Sequence, residues 1–175
     1  MTYVGKWQFY SIGTVDDETC ERVWMNAEEY MKAPMPYIDE TDEEAEAAIV
    51  SCYIQVKGNE MNYVLGKNML TDDFWAGGGG RNDNADLEGL NEFTFNTDQG
   101  YLEGMFTSYY GIIYKANVVL GHVPDESEIQ KRARAEAKVF RAWSYFELIS
   151  MWGNPPLVDH ELEPSEYHKP NGTTE

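Results

Sequence analysis

Residues 99–120, QGYLEGMFTSYYGIIYKANVVL, and 125–153, DESEIQKRARAEAKVFRAWSYFELISMWG, decide the fold. In the first, Met105, Tyr109, Ile112, Ile113, Ala116, Val119 and Leu120 recur at spacings of three and four, the period of a helix that buries one face. Gly121 and Pro124 are read as its stop. In the second, Ile129, Ala133, Ala137, Phe140, Ser144 and Leu148 mark one side, and Val139, Trp143 and Phe146 are expected to widen the apolar stripe. Asp125 with Glu128 is read as its N-terminal cap and Gly153 as its end. The connection of about 121–125 is short enough to force antiparallel neighbours, and the small residues Ala116, Ala133 and Ala137 let the two helices approach closely. Such a hairpin is the unit of tetratricopeptide-like arrays, and it needs neighbours to cover its faces.

Upstream, Thr41-Asp42-Glu43-Glu44 has the form of a capping box. Behind it Ala45, Ala48, Ile49, Cys52, Tyr53 and Val56 follow helical spacing as far as Gly58-Asn59. Residues 61–70 read as helical or irregular. Residues 71–84, TDDFWAGGGGRNDN, contain four consecutive glycines and cannot be regular structure. Residues 1–40 form an unassigned lead-in with one short strand-like piece, Lys6-Trp7-Gln8-Phe9-Tyr10, and a Pro34-Met35-Pro36 breaker. After the hairpin, Asn154-Pro155-Pro156-Leu157-Val158 must be extended, and 163–172 is a polar loop. The expected fold is therefore mainly α, built of tetratricopeptide-like helical hairpins with long irregular loops.

Composition narrows the function. The 175 residues fit one domain with 42% apolar and 14% aromatic residues, enough to bury a core. Thirteen basic against 31 acidic residues give a formal charge of −18, which repels phosphate backbones and disfavours nucleic acid as a partner. Cys20 and Cys52 have no metal or redox spacing, and His122, His160 and His168 share no motif, so neither metal nor cofactor is expected. No apolar run spans a membrane, and the start MTYVGKWQFY has neither a basic n-region nor a continuous apolar h-region. Gly66-Lys67-Asn68 lacks the P-loop hydroxyl, and Leu87 and Phe93 stand where an EF-hand needs Gly and Glu.

Three motifs in order then carry a resemblance. Tyr110-x-x-Ile113-x-x-Ala116-Asn117 is followed by Glu136-Ala137-x-x-x-Arg141-Ala142, and then by the exit Gly153-Asn154-Pro155-Pro156-Leu157-Val158. Together they resemble the SusD/RagB family, over about residues 41–175, with Glu44 to Tyr53 and Asp72 to Gly78 matching that family's early helix and loop. The resemblance implies a partial SusD-like fold in a surface lipoprotein of the outer membrane. Such proteins capture oligosaccharide without chemistry, as the lid of a SusC-like TonB-dependent transporter. The family's lipidated cysteine is absent and its members are much longer. The chain is therefore expected to be an N-terminal helical piece of the parent architecture, prone to self-association or marginal stability.

Sugar recognition needs an aromatic face and polar groups that bond hydroxyls. On the glycine-rich loop Trp75 offers the platform, Asp72 and Asp73 accept, Arg81 donates, and Asn82 and Asn84 do both. The expected ligand-binding residues are Asp73, Trp75, Arg81, Asn82 and Asn84, with no catalytic residues. Asn117 and Arg141 are read as structural, the latter paired with Glu136 or Glu147 or capping carbonyls between helices. Two other classes remain: a helical-repeat scaffold without ligand, in which Trp75 and Arg81 are idle, and a glycoside hydrolase using two of the many carboxylates.

Overall fold

The computed structural model describes residues 8–9, 13–14, 41–80, 83–96 and 99–172. Gln8–Phe9 (β1) and Gly13–Thr14 (β2) form a two-residue antiparallel ladder with Gln8 opposite Thr14, so the strand expected near residues 6–10 is present at those two positions. Among the described residues five helices follow: α1 Asp42–Gly58, α2 Glu60–Met69, α3 Ala85–Asn91, α4 Gly100–His122 and α5 Glu128–Trp152. A 3-10 turn, Pro164–Glu166, lies in the polar loop near the end.

Helices α4 and α5 are antiparallel. Arg134 bonds Leu120, Arg141 bonds Asn117 and Phe106 meets Trp152, so partners move apart in opposite directions from the Val123–Ser127 turn. Helix α1 runs alongside α5, with Arg132 paired to Glu46 and Phe140 edge-on to Tyr53. It runs against α4, with Lys115 donating to the Ser51 carbonyl and Gln55 to Ser108. A layer of small residues, Ala45, Ala48 and Cys52 against Ala116, Ala133 and Ala137, lets the three axes close up. Burial pushes the Cys52 thiol up to about 11, so this cysteine behaves as a small apolar filler. Beyond that layer the core coarsens to Met105, Phe106, Tyr109, Tyr110, Ile113, Leu148 and Trp152.

Several local expectations are corrected. At α1 the Thr41 hydroxyl accepts from the Glu44 amide, but Glu44 Oε2 is buried without a hydrogen-bond partner among the described residues, so only half of the box is made. Helix α5 is capped by Ser127, not Asp125. Ser127-x-x-Gln130 satisfies the same spacing, and the buried Gln130 closes a full capping box while Ser127 also bonds Asp42 across to α1. Helix α4 runs through Gly121 to His122, because the chain reaches the helix-breaking Pro124 only after Val123. The apolar stripe of α5 is narrower than expected: Val139 and Phe146 are 67% and 68% exposed, since α1 and α4 already occupy the Ala133–Ala137–Leu148 side. Tyr53 is likewise half exposed and acts through its edge contact with Phe140 and its bond to Glu136. Of residues 61–70, all but the C-cap Leu70 are helical as part of α2, and at Gly66 a Cβ would stand 2.7 Å from Met105 Sδ on α4, so a larger residue would push that buried side chain aside.

Candidate functional site

The motif residues build a scaffold. Asn117, 2% exposed on α4, donates from Nδ2 to the carbonyls of Val158 (3.1 Å) and His160 (3.0 Å). Its Oδ1 accepts from Arg141 Nη1 at 2.8 Å, and Arg141 also donates to the Asp159 carbonyl at 2.7 Å. Tyr110 donates to Pro156 O, and Tyr145 both donates to Val158 O and accepts the Val158 amide. Burial raises the Tyr145 phenol to about 12 and holds the Tyr110 phenol well above its usual value, which keeps both protonated as donors. Four conformationally fixed side chains thus strap the extended 155–160 segment across the helical hairpin, supplying the hydrogen bonds that an extended segment without a neighbouring strand lacks. The structural reading of Asn117 holds. For Arg141 the carbonyl alternative is the observed one, because Glu147 is paired with Lys67 and Glu136 with Arg132.

All three histidines are exposed, and no group of three metal-ligating side chains is present among the described residues. His160 lies between Asp159 and Glu166, at 2.8 and 3.0 Å. Its pKa is raised from the usual 6.5 by hydrogen bonding first to Asp159 and then to Glu166, against smaller opposing effects of desolvation and of Lys169. Its stabilising share is full below that usual value and is lost as pH rises through the raised one. The two carboxylates are held below their usual range, and their share is lost as pH falls through the lowered values. Amide-exchange protection of residues 160–169, corrected for intrinsic rate, is therefore expected to be greatest near about pH 5–6 and to fall above it. Protection that keeps rising past neutrality contradicts this clasp.

The glycine-rich loop presents a different surface. Trp75 is 83% exposed and Phe74 47%, with Asp72 and Asp73 exposed beside them. The loop is nonetheless anchored. Asn91 of α3 donates from Nδ2 to the carbonyls of Phe74 (2.8 Å) and Met69 (3.3 Å) and accepts the Ala76 amide on Oδ1 at 3.2 Å. The Gly77 amide closes a tight turn on the Trp75 carbonyl at 2.8 Å. Asp83 folds back onto the Gly79 amide at 2.7 Å, and a Cβ at Gly78 would meet that carboxylate, also at 2.7 Å. One amide side chain therefore fixes both backbone groups flanking the tryptophan while leaving its ring in water.

Of the residues expected to bind, Asp73 and Trp75 lie exposed on this loop, whereas Arg81 and Asn82 lie outside the described residues. Asn84 has a local duty: its Oδ1 accepts the Leu87 amide as the N-cap of α3, and its Nδ2 donates to the Tyr101 hydroxyl at 3.3 Å. Sequence reasoning missed α3 itself. Asn84-x-x-Leu87 was the available signal, an Asn cap ahead of a short helix whose sole buried residue is Leu90. It also missed Phe93. That residue has φ 54° and is 59% exposed, immediately after α3. The Thr94 amide reaches Gly89 O and the Phe93 amide Leu90 O, a Schellman closure whose left-handed position normally belongs to glycine. A bulky residue there costs about 1–2 kcal/mol, and its half-exposed ring recovers little of that by packing.

A polar cavity of about 220 Å3 is bordered by Asp86, Thr94, Phe95, Asn96 and Gln99. Gln99 is used internally, with its Nε2 on the Asp86 carbonyl and its Oε1 accepting the Tyr101 amide. Helix α3 therefore serves two places at once: Asn91 pins the Trp75 loop, and Asp86 borders the cavity.

The profile of a SusD-like family described as starch-binding and associating with the outer membrane matches residues 24–173. A SusD-like protein of Formosa agariphila is 33% identical over 57 residues, which are 30% of this chain and 11% of that protein. The chain thus aligns with a small part of the length of the curated relative it matches. No solved structure matches. With the helical hairpin, the strapped exit and a family match over most of its length, this chain belongs to the SusD-like family.

Proposed function

We propose that this chain binds a glycan reversibly and without catalysis through the loop of residues 71–84, with Trp75 as the stacking platform and Asp73 as a hydroxyl acceptor. Arg81 and Asn82 contribute donors from the same loop, and Asn84 acts chiefly by holding α3 in place. In the whole protein the binding surface faces a SusC-like TonB-dependent transporter at the outer membrane, reached through a lipid anchor, and hands oligosaccharide to it. The observation that carries this proposal is the nearly fully exposed Trp75 ring on a loop whose flanking backbone groups are fixed by Asn91. Large aromatic rings are normally buried, and one held outward on an ordered backbone binds a flat apolar ligand face without first having to organise itself. The family's starch-binding description supplies the ligand class.

Affinity electrophoresis of the 175-residue chain through gels containing soluble starch or other neutral glycans tests this. The native chain is expected to be retarded, and Trp75→Ala to lose about 5- to 150-fold in affinity, the equivalent of about 1–3 kcal/mol for an aromatic stack. Phe146→Ser, on the exposed face of α5, serves as a control that keeps native retardation. Equal retardation of Trp75→Ala and the native chain overturns the assignment. Release of reducing ends from the same glycans, abolished in Asp73→Ala, revives the hydrolase alternative.

A further inference from the structure

We infer that residues 77–80 are a hinge by which the Trp75 site closes on its glycan, and that the contact between Asp83 and the Gly79 amide is the latch that holds it open. The inference rests on the function proposed above and adds to it how the site engages its ligand. Its starting observation is that most of the glycine run is not required by the conformation it adopts. None of the four glycines has a positive φ, since Gly153 is the sole such glycine among the described residues. A Cβ added at Gly77 or Gly80 would meet nothing within 4 Å, and one at Gly79 would make ordinary contact with the Asp83 carboxylate at 3.5 Å. Gly78 alone is needed here, to clear that carboxylate. A glycine that the folded geometry does not need still carries its full cost in backbone entropy, and what the run provides in return is access to a second arrangement.

The anchoring divides at the same place. Before it, Asn91 holds Phe74 O and the Ala76 amide, and the Gly77 amide closes on Trp75 O, so the platform is fixed. After it, residues 78–80 are exposed and are bonded only to Asp83 among the described residues. The Asp83 carboxylate accepts the Gly79 amide at 2.7 Å, and the Asp83 amide donates to Gly80 O at 3.3 Å. The Trp75 ring is 83% exposed, so a sugar stacked on it has its other face in water. A run without side chains directly after the platform folds over that face and offers backbone amides and carbonyls to its hydroxyls once Asp83 lets go. Latched, the run is in its glycan-free arrangement, and the fraction of molecules that are unlatched scales the observed affinity.

Affinity electrophoresis in soluble starch, read as the ratio of mobilities with and without the glycan, and thermal melting of the same variants of the 175-residue chain provide the test. Gly77→Ala combined with Gly80→Ala is expected to raise the melting temperature by about 2–8 °C, because alanine restricts the unfolded chain at positions it can occupy. The same variant is expected to weaken starch binding at least threefold, because the run moves less readily. Gly58→Ala, at the end of α1 where a Cβ also meets nothing, is the control, with an equal or higher melting temperature and native binding. Asp83→Ala separates the two accounts by sign. It is expected to tighten starch binding at least twofold, since the latch is gone, whereas a rigid wall braced by Asp83 loses affinity in the same variant. Weaker binding in Asp83→Ala, or native binding in the doubly substituted run, overturns the hinge and leaves the Trp75 site standing where Trp75→Ala loses affinity. Equal retardation of Trp75→Ala and the native chain overturns the function proposed above and the hinge with it.

Discussion

Lys67→Met is expected to destabilise the chain toward the lower end of about 3–5 kcal/mol, the cost of breaking a buried ion pair by removing one member. Glu147 is 5% exposed on the inner side of α5, and its carboxylate is bonded by the Lys67 ammonium from α2, which is itself 27% exposed. Lys67 also lies 5.0 Å from the Tyr63 ring one turn back on α2, so its charge is held by its own helix as well as by α5. Without Lys67 the carboxylate remains buried beside Leu148 and Met151 with no other ion-pair partner among the described residues. The partial exposure of the lysine places the effect at the lower end of the range. For a chain of this length it corresponds to a fall in melting temperature of about 6–12 °C. A double-mutant cycle separates the pair from its parts: Lys67→Met with Glu147→Leu is expected to recover most of the loss, because two apolar groups replace two charges. A double variant as unstable as Lys67→Met alone contradicts the ion-pair account.

Asn117→Ala is expected to cost about 3 kcal/mol, through a different mechanism. The buried amide satisfies two carbonyls of the exit strap and one guanidinium hydrogen, so its removal takes the Asn117 donor from His160 O, leaves Val158 O with the Tyr145 hydroxyl alone and costs Arg141 its side-chain acceptor. Each buried group left unsatisfied costs about 1–3 kcal/mol. Asn117→Asp does not rescue the position, since a carboxylate retains the bond to Arg141 but confronts both carbonyls. Urea unfolding reads the total, and amide exchange of residues 155–160 reads its location. Uniform loss of protection across α1, α4 and α5, with no excess in the strap, contradicts the bracing role.

These two expectations show which parts of the structure were legible in the sequence. The long helices were, because a three-and-four repeat sustained over more than twenty residues has no other regular solution. The antiparallel hairpin followed from its short connection, and the close helix approach from Ala116, Ala133 and Ala137. The cap of α5 was misplaced by two residues because Asp125-x-x-Glu128 and Ser127-x-x-Gln130 fit the same pattern, and only the contact of Ser127 with Asp42 distinguishes them. A seven-residue helix with one buried residue leaves no period to detect, so α3 went unread. The outer limits of the α5 stripe were also hidden. An apolar residue announces that it can be buried, while Val139 and Phe146 remain exposed because α1 and α4 pack on the Ala133–Ala137–Leu148 side of the helix.

The proposed site divides in the same way. Trp75 and Asp73 could be singled out by residue type on a loop that must be irregular. Their anchor, Asn91, could not, since its value lies in reaching three backbone atoms of a segment distant in sequence. Phe93 was considered only as a misfit to a calcium loop. Its backbone angle, which sets it apart, follows from the closure of α3 and has no signature in residue type. The three ordered motifs that carried most of the family resemblance brace the chain, and the residues proposed to meet ligand lie on a loop elsewhere.

The central claim is that the 71–84 loop meets the glycan while the strapped hairpin only supports it. Backbone amide shifts of the isotope-labelled chain, followed while a neutral hexasaccharide is added, test it most directly. The account predicts shifts concentrated in residues 71–80 and 83–96, with residues 110–120 and 140–160 unmoved. Shifts concentrated in the hairpin and its strap, with the Trp75 loop silent, would contradict it.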